Sequence, residues 1–359
     1  MSQALPETMS GVWLTGHGGS ETLVWSDAIP VPKPGPGQVL VRVLAAAINN
    51  TDINTRIGWY SSDVTGATQD VCEDIEVEKG GWSGALDFPI IQGGDICGEI
   101  VALGEGVTTR AIGARITSQI NIPRPTEERP TDFVALGSEI DGAFAQYCLL
   151  RADEIFDVSR SPLSDVEIAA IPCAFGTAFN MLTRAGVMAG QDVLVTGASG
   201  GVGLAAVQLA NKMGANVCGI TAIRKADVVL AAGANSVLDR MATIPVESFD
   251  AVVDVVAGPG WQQLILALRP GGHYAVSGAI AGPIVEADLR DVYLRDITIH
   301  GASFMAQKVF TELVEMINNG EIKPLISKTY PLSKIAVAQE EFISKTLPGK
   351  LVLIPPGVT

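Results

Sequence analysis

Glycines 197, 200 and 203 stand in the run Val193-Leu-Val-Thr-Gly-Ala-Ser-Gly-Gly-Val-Gly203, between a stretch that reads as a buried strand and one that reads as a helix. This spacing suits the holding of a diphosphate. Gly197 permits the tight turn, Gly200 keeps a Cβ out of the path of a pyrophosphate, and Gly203 lets the helix pack closely on the strand. The N–H groups along Ser199, Gly201 and Val202 would then meet the anion at the helix N-terminus, where the helix dipole favours negative charge. A flexible turn is the bland alternative. A second group lies in Cys218-Gly-Ile-Thr-Ala-Ile-Arg-Lys225, at the end of the next expected strand. It has no carboxylate to take a ribose 2′-hydroxyl, whereas Thr221, Arg224 and Lys225, joined by Arg240, offer a hydroxyl and cations for a 2′-phosphate. NADPH is therefore the expected cofactor. The alternative is that Arg224 and Lys225 only open a solvated helix.

These residues need a framework, and from about Asp165 the chain supplies strands alternating with helices, the pattern of βαβ units on a parallel sheet. Strands are expected at Asp192–Thr196, Asn216–Ile220, Ser236–Leu238, Ala251–Val256, Tyr274–Ser277 and Ile297–His300, with helices such as Val202–Met213 and Lys225–Ala232 between them. Such an order fits a doubly wound nucleotide-binding sheet. The first 160 or so residues read instead as short strands broken by Gly and Pro, at 38–44, 98–103, 114–118 and 143–150. Two stretches interrupt them: Ser61–Lys79, with six acidic residues and one basic, and Asn121–Pro130, with three prolines and four charges. Both read as long surface loops. A helix over Lys308–Asn318 and a closing run Lys350–Ile354 should return the chain to the first domain. The expected division is 1–164 with 303–359, and 165–302 for the cofactor domain.

Composition narrows the function classes. At 359 residues, 47% hydrophobic and 18% charged, the chain is too apolar for disorder and long enough for two cored domains. Its formal charge of −15 repels nucleic-acid phosphates and anionic membrane surfaces, so neither is an expected partner. The five cysteines form no CxxC pair and read as reduced thiols. Neither a leader peptide nor a run of roughly 18 apolar residues is legible, and a cytoplasmic protein is the expectation.

The β-rich first half, the 197–203 turn and the closing return resemble the medium-chain dehydrogenase/reductase superfamily along nearly the whole chain. Ala47-Ile-Asn-Asn-Thr-Asp52, Arg56-Ile-Gly-Trp-Tyr60, Gly93-Gly-Asp-Ile-Cys-Gly98 and Gly142-Ala-Phe-Ala-Gln-Tyr147 look most like its zinc-independent, quinone oxidoreductase-like branch. The resemblance implies a mixed α/β architecture: a GroES-like, β-rich catalytic domain plus a Rossmann domain with a doubly wound parallel sheet, the nicotinamide lying in the cleft between them. It also implies a homodimer, joined through the edge strand near Ile297–His300. Further cofactor contacts are implied at Thr177, Ala257, Gly278, Ala279 and Lys350.

Metal-dependent relatives bring Cys, His and Cys to a catalytic zinc; here Asn49 and Gly94 stand at the first two places and Cys173 at or near the third. One thiolate cannot hold an ion that needs three protein ligands, so no metal is expected and Cys173 reads as a packed residue. Without a Lewis acid, hydride addition to a conjugated C=C is favoured over reduction of an isolated ketone. The small-molecule substrate is then a quinone or an α,β-unsaturated carbonyl compound. The resemblance places Asn49, Thr51 and Tyr60 in the catalytic cleft: Thr51 at the position of a proton-relay hydroxyl, Asn49 as an amide donor or an orienting group, Tyr60 as a phenol donor or a stacking lid. Asp52 and Asp95 read as structural carboxylates and the three histidines as bland. Asn54 stands where related quinone reductases carry a second tyrosine, and the acidic 61–79 stretch lowers the rank of acyl-CoA esters. Two other readings stay open: a zinc-free alcohol dehydrogenase or carbonyl reductase, and an NADPH-binding protein without turnover.

Overall fold

The computed structural model describes residues 5–68, 80–82 and 84–357. Most of the acidic stretch read as a loop, from residue 69 to 79, lies outside the described residues, as does Cys72. The chain divides into two compact units, one of Met1–Asp63, Cys72–Cys173 and Ala306–Thr359, the other built mainly of Ala174–Met305. The break after Cys173 falls inside helix Pro172–Arg184, so residues 165–173 group with the first unit rather than with the cofactor domain.

The first unit is organised around strand Gln38–Ala47, whose run of Val, Leu and Ala is almost wholly buried. Its neighbours are Cys97–Leu103, Tyr147–Arg151 and the closing strand Lys350–Ile354, all antiparallel to it. The return of the C-terminus is thus seen as Val352 pairing with Ala47. Val39, Val41, Val43, Ile100, Phe144 and Leu353 are among the side chains of the common core, which hold these strands by removing apolar surface from water. Helix Gln307–Asn318 buries Val309, Phe310, Leu313, Val314 and Ile317 on one face.

Two expectations are corrected. Asn121–Pro130 is not all loop, because Asn121–Pro123 pairs with Phe133–Ala135 as a short antiparallel ribbon. The strand expected at 143–150 is confined to Tyr147–Arg151. Ahead of it, the N–H groups of Ala143 and Phe144 donate to the carbonyls of Gly93 and Gln92 at 2.8 Å, so the backbone is satisfied without a regular ladder.

The second unit carries a parallel sheet in the spatial order Ser236–Asp239, Asn216–Thr221, Asp192–Val195, Phe249–Asp254, Leu268–Val276, Thr298–Gly301. Numbered along the chain this order is 3-2-1-4-5-6, the doubly wound arrangement of a Rossmann domain. Val193, Leu194, Val252 and Val253 are at most 1% exposed, as expected for strands covered on both faces. The fifth strand starts at Leu268, earlier than its apolar run suggests, with a register irregularity around Pro270-Gly-Gly272.

Candidate active site

In the second unit the glycine turn has the shape its sequence demands. Gly197 adopts φ +56°, and a Cβ on Gly203 would come within 2.2 Å of the Gly197 carbonyl oxygen. Gly200 differs, since a Cβ there would meet only the Gly197 oxygen at 3.4 Å, ordinary contact. Nothing inside the protein requires glycine at 200; the room it leaves is on the outside. Helix Gly201–Lys212 starts at Gly200 without a side-chain cap, so its first-turn N–H groups suit an anionic ligand.

The second cofactor group also comes together. Thr221 donates its hydroxyl to Ser199 Oγ at 2.8 Å, and the Arg240 N–H donates to the Thr221 carbonyl at 3.1 Å. Burial, then the charges of Arg224 and Arg240, push the Lys225 ammonium below its usual range. The neighbouring Asp239 instead accepts the N–H groups of Ile223 and Met241. A nicotinamide dinucleotide fits this turn and strand end. Ala257, at φ +52°, and Gly278 lie on adjoining loops tied by an Ala281 N–H to Val256 carbonyl bond of 2.9 Å, with Ala279 beside them. Thr177 is half-buried on helix Pro172–Arg184.

A hub the sequence reading missed lies beneath these loops. Asp254 is fully buried and accepts from the Thr196 hydroxyl, the N–H groups of Val256 and Ala257, and the Tyr274 phenol. Burial and this carboxylate push the Tyr274 phenol above its usual range. The hub fixes the C-terminal ends of three neighbouring strands. His273 and His300, read as bland, sit side by side with ring nitrogens 3.0 Å apart.

In the first unit, helix Asn50–Arg56 begins at Asn49, whose N–H donates to Asp52 Oδ2 at 2.7 Å. The Asn49 amide is spent inside the protein. Its nitrogen donates to Asp95 Oδ2 at 2.9 Å and its oxygen accepts from the Lys350 ammonium. Lys350, 2% exposed, also donates to the Ile48 carbonyl at 3.0 Å and to Asp95 at 2.9 Å, and Asp95 in turn accepts the Cys173 N–H at 2.7 Å. An ammonium has three protons, and all three are used. The donor reading of Asn49 and the expected cofactor contact of Lys350 are therefore corrected: Asn49 also donates to the Ala47 carbonyl at 3.4 Å, which leaves it the orienting reading at the start of this helix, and Lys350 closes the buried cluster. Asp52 is pushed up to about 7 by burial, with the Asp95 charge adding to the rise while the Asn49 N–H and Lys350 oppose it.

This cluster does not fit a catalytic zinc. A Cβ on Gly94 would come within 2.2 Å of Ile120, so a histidine has no room there, and an ammonium already balances Asp95. Among the described residues, no three His, Cys, Asp or Glu side chains are placed to hold a metal ion.

Thr51 and Tyr60 do meet. The Tyr60 phenol donates to Thr51 Oγ at 2.9 Å, and the Trp82 indole N–H donates to the same oxygen at 3.1 Å. Burial holds the Tyr60 phenol above its usual range, so it stays neutral, although bonds with Thr51 and Asn54 oppose the shift. Trp82 packs edge-on against Tyr60 and Phe133, with centroids 5.2 and 5.5 Å away. Sequence reasoning missed Trp82; a lone tryptophan among glycines in Gly80-Gly-Trp-Ser-Gly84 was the available signal.

The family described as alcohol dehydrogenase GroES-like domain matches residues 35–160, and the one described as zinc-binding dehydrogenase matches residues 201–319. The chain is 28% identical to acryloyl-coenzyme A reductase of Metallosphaera sedula, over 90% of this chain and 93% of that protein. It is also 28% identical to quinone oxidoreductase of Lama guanicoe, over 96% and 97%. A crystal structure from Sinorhizobium meliloti 1021, provisionally described as an alcohol dehydrogenase, superposes with a TM-score of 0.88 at 40% identity, covering 98% of both chains. With relatives of that likeness along its full length, this chain is an oxidoreductase and belongs to the medium-chain dehydrogenase/reductase superfamily.

Proposed function

We propose that the protein is a metal-free, NADPH-dependent reductase of quinones or α,β-unsaturated carbonyl compounds. The observation that carries this reading is the neutral hydroxyl pair of Thr51 and Tyr60, set among aromatic rings and beside a carboxylate-ammonium cluster that does not suit zinc. Acryloyl thioesters and quinones, the substrates in the relatives' names, share an electron-poor C=C conjugated to a carbonyl. That shared unit is the proposed target, and it removes the ground for ranking acyl-CoA esters low. The cations around Thr221, which outnumber the one neighbouring carboxylate, Asp239, favour NADPH over NADH.

Bound NADPH supplies the hydride. The protein's own task is the oxygen of the conjugated system, where negative charge develops as the β-carbon is reduced. The Thr51 hydroxyl holds that oxygen by a hydrogen bond, and Tyr60, kept neutral, supports Thr51. Aromatic edges of Tyr60, Trp82 and Phe133 flank a planar substrate on one side. The α-carbon takes its proton from solvent.

The test is turnover of a panel of enones, enoyl thioesters, quinones, saturated ketones and alcohols, followed at the nicotinamide absorbance. We expect the conjugated substrates to be reduced with NADPH at least tenfold more efficiently than the saturated ones. Turnover confined to saturated ketones and alcohols would favour the alcohol dehydrogenase reading, which the Sinorhizobium structure supports; cofactor binding with no turnover would overturn both. A cytoplasmic homodimer completes the proposal: edge strand Thr298–Gly301 leaves Ile299 47% exposed, close in sequence to exposed Tyr293 and Leu294. Light scattering at micromolar concentration should give twice the chain mass. No helix among the described residues is long and apolar enough to cross a membrane.

A further inference from the structure

We propose that Trp82 is a positioning residue that makes the Thr51 hydroxyl a one-way donor toward the substrate oxygen. The inference rests on the proposed role of Thr51 and adds what sets its polarity. A threonine hydroxyl ordinarily has one proton to give and two lone pairs to fill, and can serve a ligand in either sense. Here both lone pairs are filled. Indole N–H is a donor only, and Trp82 spends it on Thr51 at 3.1 Å; the Tyr60 phenol donates to the same atom at 2.9 Å. No described residue takes the proton of Thr51, so all that the hydroxyl can do for a further partner is donate.

The protons run in one sense, from the Tyr60 phenol and from the Trp82 indole to the Thr51 oxygen. Aligned donors polarise one another, which strengthens the last bond as charge builds on the acceptor. Thr51 keeps its proton throughout, and no covalent bond of the protein is made or broken. Packing holds the arrangement: the Trp82 ring is gripped by Tyr60 and Phe133.

A double-mutant cycle with Thr51→Val and Trp82→Phe tests this, since phenylalanine keeps the ring stack and deletes only the N–H. With an enone substrate, Thr51→Val should lower kcat about 100-fold, as loss of an oxyanion donor does. Trp82→Phe should lower kcat roughly tenfold with KM within about twofold, and the pair should be no slower than Thr51→Val alone, because residues acting through one atom are not additive. Bound 4-nitrophenolate, an oxyanion mimic, supplies a readout apart from turnover. Its absorption band should move to shorter wavelength on the wild type, less on Trp82→Phe, and not at all on Thr51→Val. Wild-type kcat in Thr51→Val would overturn the underlying proposal about Thr51. A slow Thr51→Val with an additive loss from Trp82→Phe, and a nitrophenolate band indifferent to Trp82→Phe, would overturn this inference alone. If Trp82→Phe fails to fold, replacement of Trp82 by benzothienylalanine, which keeps both rings and lacks only the N–H, decides by the same cycle.

Discussion

Two clusters of charge among the described residues are built on opposite plans. Around helix Asn50–Arg56, Lys350, Asp95 and Asn49 satisfy one another almost completely: three ammonium protons meet three oxygens, and both Asp95 oxygens are used. At the end of the second Rossmann strand, Arg224, Lys225 and Arg240 stand close enough for their charges to bear on Lys225, while Asp239 turns its carboxylate to backbone N–H groups. A closed set of hydrogen bonds holds a fold together; three cations beside one carboxylate leave an excess of positive charge. By that criterion the first cluster is scaffold, and the second is the one proposed to receive an anion.

The largest effect that separates the two plans comes from Lys350→Met. Removing one partner of a buried ion pair leaves an uncompensated charge, which costs about 3–5 kcal/mol. Urea unfolding should show a loss of that size and a helix Asn50–Arg56 that no longer presents Thr51, with activity falling accordingly. A variant within about 1 kcal/mol of wild type would mean that the closed cluster is not what holds the helix start, and the contrast would collapse.

A second prediction sharpens the contrast inside the closed cluster. Asp52, although hydrogen-bonded, lies so deep that its carboxyl is pushed up to about 7, against roughly 3.9 in an unfolded chain. Between those two values the folded protein holds a proton that the unfolded chain has lost, so stability falls as pH rises from about 4 to about 7 and then levels off. The shift of about three pK units sets an upper bound near 4 kcal/mol on this term. Asp52→Asn, which keeps an oxygen for the Asn49 N–H, should flatten that part of the pH profile measured by denaturant midpoint. A wild-type profile that is flat over this range, or rises, would show Asp52 to be ionised in the fold.

The parts of the molecule legible in sequence were those that repeat a local rule. The Val193–Gly203 turn and the alternating strands and helices each obey geometry within a few residues, and the sheet order followed from them. What stayed hidden depends on contacts across long separations. Lys350 meets Asn49 across 301 positions and Trp82 meets Thr51 across 31, and no spacing rule joins such pairs. The same blindness explains why Asn49 could be read as a donor and Lys350 as a cofactor contact, because a sequence shows which groups can donate but not whether their protons are already taken. Residues 121–123 were misread for a related reason: their prolines and charges signal a loop, while pairing with Phe133–Ala135 makes a strand of them.

The smallest effect on the fold, and the most selective one on binding, belongs to the open cluster. Arg224→Ala with Lys225→Ala should leave stability within about 0.5 kcal/mol, because Arg224 is exposed and Lys225 only half-buried. The same pair should weaken NADPH by about 2 kcal/mol, roughly 30-fold in Kd, since charge-assisted bonds to a phosphate are worth about 1.5–3 kcal/mol. NADH, which lacks the 2′-phosphate, should be bound as before or slightly better. Titration of both dinucleotides by fluorescence checks all three statements at once. Equal weakening of NADPH and NADH would mean that the cations serve the diphosphate or the fold, and a stability loss comparable to that of Lys350→Met would erase the difference between the closed cluster and the open one.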